Sequence, residues 1–169
     1  NTAVGYNAGV AMTTGTKNII VGANAGYALT SGDYNVALGH GTLSAETTTG
    51  RTVAVGYLAL SSQRSDSHTY NVAMGYETGK SVTTGVRNTI MGGFAGDALT
   101  TGNYNVVLGY GALSAEDTHS ANVAIGYGAL MALNAGADGF NTAVGYLAGN
   151  VMTTGVKNTI IGSSAGGGL

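Results

Sequence analysis

The 169-residue sequence has no cysteine, no proline and no tryptophan, and only 8% of its residues are charged. Without cysteine there can be no disulfide framework and no thiolate metal centre, so stapled miniature folds and zinc fingers drop out. Without proline, no backbone donor is missing from any sheet the chain builds. The six cations, Lys17, Arg51, Arg64, Lys80, Arg87 and Lys157, are scattered and leave a net charge of −2. A polyanion needs a clustered basic face, so nucleic acid is not an expected partner. Apolar runs are interrupted every few residues, which excludes an embedded helical membrane span. Glycine is abundant instead, with 30 residues and no Gly-X-Y period, so collagen is excluded as well. The 44% hydrophobic content argues against disorder.

One motif accounts for this composition. N-[TVI]-[AIV]-[VILM]-G begins at Asn1, Asn18, Asn35, Asn71, Asn88, Asn105, Asn122, Asn141 and Asn158, and a tenth copy begins at Thr52. The copies are 17 residues apart, except that Thr52 to Asn71 and Asn122 to Asn141 are 19, so four repeats form a 70-residue block. Blocks 1–70 and 71–140 agree at nearly half of their positions, and 141–169 begins a third. The whole of 1–169 therefore reads as a single repeat domain. It lacks an initiator Met and a signal peptide and opens on the motif itself, which points to a piece of a longer fibrous protein.

A 17-residue period with one β-branched run, one constant Gly and one Thr/Ser-Gly corner is too short for a helix pair or a propeller blade. It fits one coil of an all-β parallel β-solenoid (a β-roll or β-helix) of about ten coils of 17–19 residues. Within each coil, N-T-A-V reads as a strand and the segment after the constant Gly (Y-N-A-G, Y-L-A-L) as a second one. Motif positions two and four are expected to fill the coil, while position three (Ala3, Ile20, Ala37 and their equivalents) points away and is also apolar. Two buried faces call for a second surface, and another copy of the chain is the economical source, so a homo-oligomer is expected. Corners such as Thr13-Thr14-Gly15 carry Gly for positive φ, and the two extra residues of each fourth coil are expected to bulge there. Stacking at roughly 4.8 Å per coil would place Asn1, Asn18, Asn35, Asn71, Asn88, Asn105, Asn122, Asn141 and Asn158 in a structural ladder of amide hydrogen bonds, about 48 Å long.

The strings N-T-A-V-G-Y at Asn1 and Asn141, N-V-A-I-G-Y at Asn122 and T-V-A-V-G-Y at Thr52 resemble the N-S-V-A-I-G repeats of YadA-like heads in trimeric autotransporter adhesins. The longer pattern N-T-A-V-G-Y-x-A-G-x-x-x-T-T-G-x-x-N-T is similar to repeat regions of bacteriophage tail fibres. The resemblance covers essentially the whole chain. It implies a left-handed, homotrimeric parallel β-roll in an extracellular setting, on a virion tail fibre or a bacterial cell surface.

Chemistry is sparse. The acids Asp33, Glu46, Asp66, Glu77, Asp97, Glu116, Asp117 and Asp138 read as solvated turn residues rather than a glycosidase pair, although Glu46 and Glu116 repeat in register. His40, His68 and His119 show no ligand spacing, so no catalytic residue, metal site or cofactor is expected. After the constant Gly runs a column of Tyr6, His40, Tyr57, Tyr76, Tyr110, Tyr127 and Tyr146, broken at Ala23, Gly93 and Ser163. Just before the Asn positions, Lys17, Tyr34, Arg51, Tyr70, Arg87, Tyr104, Ala121, Phe140 and Lys157 interleave bases with aromatics, as stacked cation–π contacts would require. Tyr34, Tyr57, Tyr70, Tyr104 and Tyr127 are the candidate surface-binding aromatics, for a cell-surface glycan or protein receptor. The expected function is a non-enzymatic structural or adhesive fibre segment displaying a host-binding or surface-binding face. The alternatives are a carbohydrate-binding or depolymerising tailspike-like β-helix and, from the recurrent Thr-Thr pairs, an ice-binding solenoid.

Overall fold

The structure, a computed structural model, describes residues 1–136 and 138–167. It is a parallel β-solenoid with no helix among the described residues. Ten strands, one per motif, lie in a single sheet in sequence order: β1 Thr2–Val4, β2 Ile19–Val21, β3 Val36–Leu38, β4 Val53–Val55, β5 Val72–Met74, β6 Thr89–Met91, β7 Val106–Leu108, β8 Val123–Ile125, β9 Thr142–Val144 and β10 Thr159–Ile161. Equivalent motif residues pair directly, as in Val53↔Val72 and Val72↔Thr89. The 19-residue coil keeps this register because its additional residues leave through the corner, where Asp66, Ser67 and His68 are exposed. The matching corner at 134–138 includes residue 137, which lies outside the described residues.

Backbone conformation limits each strand to three residues. The residue before the motif is left-handed although it is never Gly: φ is 59° at Lys17, 60° at Tyr34 and 58° at Arg87. The constant Gly closes the strand with φ between 124° and 147°. The expected second strand is absent from the described residues. In its place runs a chain of turns, because the residues two and four after the constant Gly are again left-handed (Asn7 54°, Gly9 58°), and that reversal breaks a β ladder. Its amides pair both within the coil, as in Ala8 N to Gly5 O, and with the next coil, as in Gly9 N to Ala25 O at 3.0 Å. The corner Gly does not supply the positive φ. At Gly32 the constraint is space, since a Cβ there would lie 2.0 Å from Thr49 O of the next coil.

Position three of the motif, and not positions two and four, fills the coil. Ile20, Ala37, Ala54, Ala73, Ile90, Val107, Ala124 and Ala143 are all fully buried, whereas the flanking strand residues face solvent. With both faces apolar, alternation alone cannot say which is inside; volume does. Only small or singly branched side chains fit opposite the Ala8/Ala25/Ala59 column, and the larger Ile20 is accommodated where Gly9 and Gly26 leave room beside it. The remaining core comes from Leu43, Leu60, Leu113 and Leu130, and from Leu29, Val82, Leu99 and Leu133 in the column leading into the corner.

Asn18, Asn35, Asn71, Asn88, Asn105, Asn122 and Asn141 are buried along the seam between strand and corner, while the terminal Asn1 and Asn158 are more open. Except across Thr52, whose hydroxyl pairs with Thr69, each step of the ladder is chiefly main chain to side chain. Asn105 N donates to Asn88 Oδ1 at 2.9 Å, Asn88 N to Asn71 Oδ1 at 2.8 Å and Asn18 N to Asn1 Oδ1 at 2.8 Å. The amide Nδ2 meanwhile donates to a corner carbonyl of the following coil, as from Asn88 to Gly102 O at 2.8 Å. Direct amide-to-amide bonds accompany this in places, as between Asn158 Nδ2 and Asn141 Oδ1. Asn88→Ala would strand the Asn105 N–H and the Gly102 carbonyl in a dry seam, so a loss of about 2–4 kcal/mol is expected in urea unfolding. A loss below about 0.5 kcal/mol would show that the ladder does not hold the coils together.

Candidate interaction surface

Because position three fills the coil, positions two and four form a continuous outward stripe: Ile19 and Val21, Val36 and Leu38, Val53 and Val55, Val72 and Met74, then Met91, Val106, Leu108, Val123, Ile125, Val144 and Ile161. Met74 is 44% exposed, Ile19 47% and Ile161 69%. Thr2, Thr89, Thr142 and Thr159 take position two in four coils, and in most coils the pair is preceded by the base/aromatic column and followed by the tyrosine column, so the stripe has an amphipathic border on each side.

The tyrosine column is a stack. His40 packs on Tyr57 (centroids 5.4 Å apart, planes 16° from parallel), Tyr57 on Tyr76 (5.1 Å), Tyr110 on Tyr127 (5.6 Å) and Tyr127 on Tyr146 (5.4 Å). The break at Gly93 is bridged by Phe94, edge-on to Tyr76 at 5.3 Å and to Tyr110 at 5.7 Å. Sequence reading missed Phe94 because it lies one position outside the column; an aromatic beside the one Gly that interrupts the column was the signal. Glu77 anchors the outer side of the stack. Its carboxylate accepts from Lys80 Nζ at 2.9 Å, which holds it below the usual carboxylate range, and its bond with the Tyr76 hydroxyl pushes that phenol up.

The base/aromatic column also forms contacts. Lys17 Nζ sits 4.7 Å from the Tyr34 ring centre and donates to its hydroxyl at 2.8 Å, a bond that raises the ammonium above its ordinary value. The Arg51 guanidinium lies between Tyr34 (5.8 Å) and Tyr70 (5.6 Å), and Arg87 covers Tyr104 at 5.4 Å. The candidate aromatics thus fall on two columns: Tyr34, Tyr70 and Tyr104 on one and Tyr57 and Tyr127 on the other, all partly exposed.

In the first block the tyrosine column is interrupted at Ala23 and Asn24, and no aromatic bridges it. An open groove of about 660 Å³ remains there, lined by Asn24, Tyr27, His40, Ser44, Leu58 and Arg64 among others. The corner threonines face inward in their bonding. Thr30 Oγ1 donates to Thr47 O at 2.9 Å and Thr100 Oγ1 to Asp117 O at 2.7 Å, so these hydroxyls tie one coil to the next.

Two acids depart from the solvated-turn expectation. Glu46 and Glu116 are fully buried, because they occupy the inward column otherwise held by Leu29, Val82, Leu99 and Leu133. Their register with those apolar residues was the available signal. Glu46 Oε1 accepts from the N–H groups of Thr47 (2.9 Å) and Thr49 (3.2 Å), and Oε2 from Gln63 Nε2 at 3.3 Å. Asp97 is partly buried with Oδ1 unpartnered, and burial pushes its carboxyl up. Asp33, partly exposed, accepts from Thr16 N at 2.6 Å and is held below the ordinary carboxylate value by that bond.

No helix among the described residues is long and apolar enough to cross a membrane. No family model, no curated protein and no solved structure matches this chain.

Proposed function

We propose that the chain is a non-enzymatic segment of an extracellular fibre, of the adhesin-head or tail-fibre kind, assembled as a homotrimer through its outward strand stripe. The observation carrying this reading is the stripe itself. At about 4.8 Å per coil and 3.3 Å per strand residue it measures roughly 48 by 10 Å, on the order of 480 Å² of largely apolar surface. A patch of about this size is the largest a typical monomer exposes, and such patches are often functional. Its Tyr and Arg borders match the composition that protein interfaces favour. A second copy suits it because the stripe repeats with the coil spacing and an identical chain repeats with the same spacing. Trimeric order comes from the resemblance of the N-T-A-V-G-Y strings to adhesin-head repeats. Burial of Glu46 and Glu116 supports a role without catalysis, since neither carboxylate reaches the groove.

Solution mass tests the assembly. Light scattering on the purified chain is expected to give about 50 kDa, three times the 16.7 kDa chain, and a monomer mass would defeat the proposal. Carbohydrate contact is the second reading. It is supported by the groove in the first block, where two aromatic faces, an amide and a guanidinium converge on open space.

A further inference from the structure

The two 70-residue blocks place the same buried glutamate in different company. Around Glu46 the neighbours are Thr47, Thr49 and Gln63, and the carboxylate is satisfied by two backbone N–H groups and one amide. Around Glu116 the equivalent residues are Asp117, His119 and Leu133. Leucine removes the amide partner, and Glu116 Oε2 is left buried with no hydrogen-bond partner at all. The other oxygen of the same carboxylate, Oε1, meets His119 Nδ1. Asp117 Oδ1 lies 3.9 Å from that nitrogen, and the three ligand-type atoms fall within 4.8 Å of one another. A carboxylate that loses its donors while gaining an imidazole and a second carboxylate has been given the surroundings of a cation ligand.

We propose that Glu116, Asp117 and His119 bind one divalent transition-metal ion, with Zn²⁺ the ion whose preferences the donor set meets. One imidazole nitrogen and two carboxylates are hard for Ca²⁺ or Mg²⁺ to prefer over an all-oxygen cage, and they suit a four- or five-coordinate ion. An ion at the carboxylate would give the stranded Glu116 Oε2 its missing partner. The ligands are already held in place: Asp117 O accepts from Thr100 N and Oγ1, and His119 O accepts from Asn105 Nδ2 at 3.1 Å. The far ring nitrogen, His119 Nε2, lies 3.3 Å from Thr118 Oγ1, an outer contact of the kind that orients ligating histidines. Glu116 and His119 are covered and Asp117 is half exposed, so a fourth coordination position would open toward solvent on the Asp117 side.

Calorimetric titration of the untagged, EDTA-dialysed chain with Zn²⁺ tests this. The expected result is saturable binding of one ion per chain, weakened about 100-fold by His119→Ala and about 10-fold by Asp117→Asn, and unchanged by His68→Ala at the exposed corner of the first block. Failure of the wild-type chain to bind one ion per chain overturns the proposal, whatever the variants do. So does an affinity that His119→Ala leaves intact, or, should that variant not fold, an affinity that Asp117→Asn leaves intact.

Discussion

Gly56→Ala is expected to prevent cooperative folding of the solenoid, at a cost above about 4 kcal/mol, while Gly111→Ala costs about 1–2 kcal/mol. The two substitutions add the same methyl group, and both sites have positive φ. At Gly56 φ is 130°, and a Cβ would stand 2.1 Å from Gly75 O and 2.7 Å from Gly75 C. Those atoms cannot retreat, because Gly75 N is bonded to Val55 O at 2.8 Å and Gly56 N to Leu38 O at 2.7 Å, one on each side of the coil. Relief would require separating β4 from β5, which cuts the stack in two. At Gly111 φ is 61° and no atom lies within 4 Å of the added carbon. Equivalent positions in other coils already hold Asn7, Leu58 and Glu77 at φ of 54°, 53° and 51°. Urea unfolding followed by circular dichroism separates the cases; equal midpoints for the two variants would show that inter-coil contact is not what keeps the constant Gly.

The contrast also marks what could be read from the sequence. Strand positions are legible because a three-residue run rich in Val, Ile and Thr returns every 17 or 19 residues behind an Asn, or Thr52, and before a Gly, and all ten strands fall on it. The direction of the side chains is not. A three-residue strand has one central residue and two flanking ones, and in six strands all three are apolar while Thr replaces only the first in the other four, so the period-two signal carries no sign. The sign lay in a compensation of volumes between columns. Where position three is Ile20, Ile90 or Ile160, glycine occupies the facing positions, Gly9 and Gly26, Gly79 and Gly96, Gly149 and Gly166; where position three is Ala37 or Ala54, the later column holds Leu43 or Leu60. Only residues that share an interior need to trade volume in this way.

The candidate surface was legible to a similar depth. The base/aromatic alternation from Lys17 to Tyr104 predicted contacts that the geometry contains, because side chains one coil apart in a parallel stack must meet. The buried Glu46 and Glu116 were read as corner residues because charge usually means solvent. Their environment depends on neighbours at 3 and 17 residues' distance, Thr49 and Gln63 for one, His119 and Leu133 for the other, which single-position reasoning does not weigh.

The outward stripe carries the other large effect. In the double variant Met74→Lys with Met91→Glu, two opposite charges sit side by side on adjacent coils, since Met74 pairs with Met91 in the β5–β6 register. On an isolated chain these residues are exposed, so the pair is solvated and self-compensating, and stability of the single solenoid should move by less than about 1 kcal/mol. In the proposed trimer the same two charges would leave water on every chain. On each chain, a desolvation cost of several kcal/mol per ion removes most of the roughly 12 kcal/mol that the stripe returns, and what is left does not meet the entropy of association. The expected outcome is a fall in solution mass from about 50 kDa to the 16.7 kDa chain, with the β-sheet dichroism intact. Val10→Lys, at a still more exposed apolar residue beyond the strand, should leave the assembly whole. If the double variant stays trimeric, the chains associate through some other face, and the exposed stripe is then the surface free to meet a receptor.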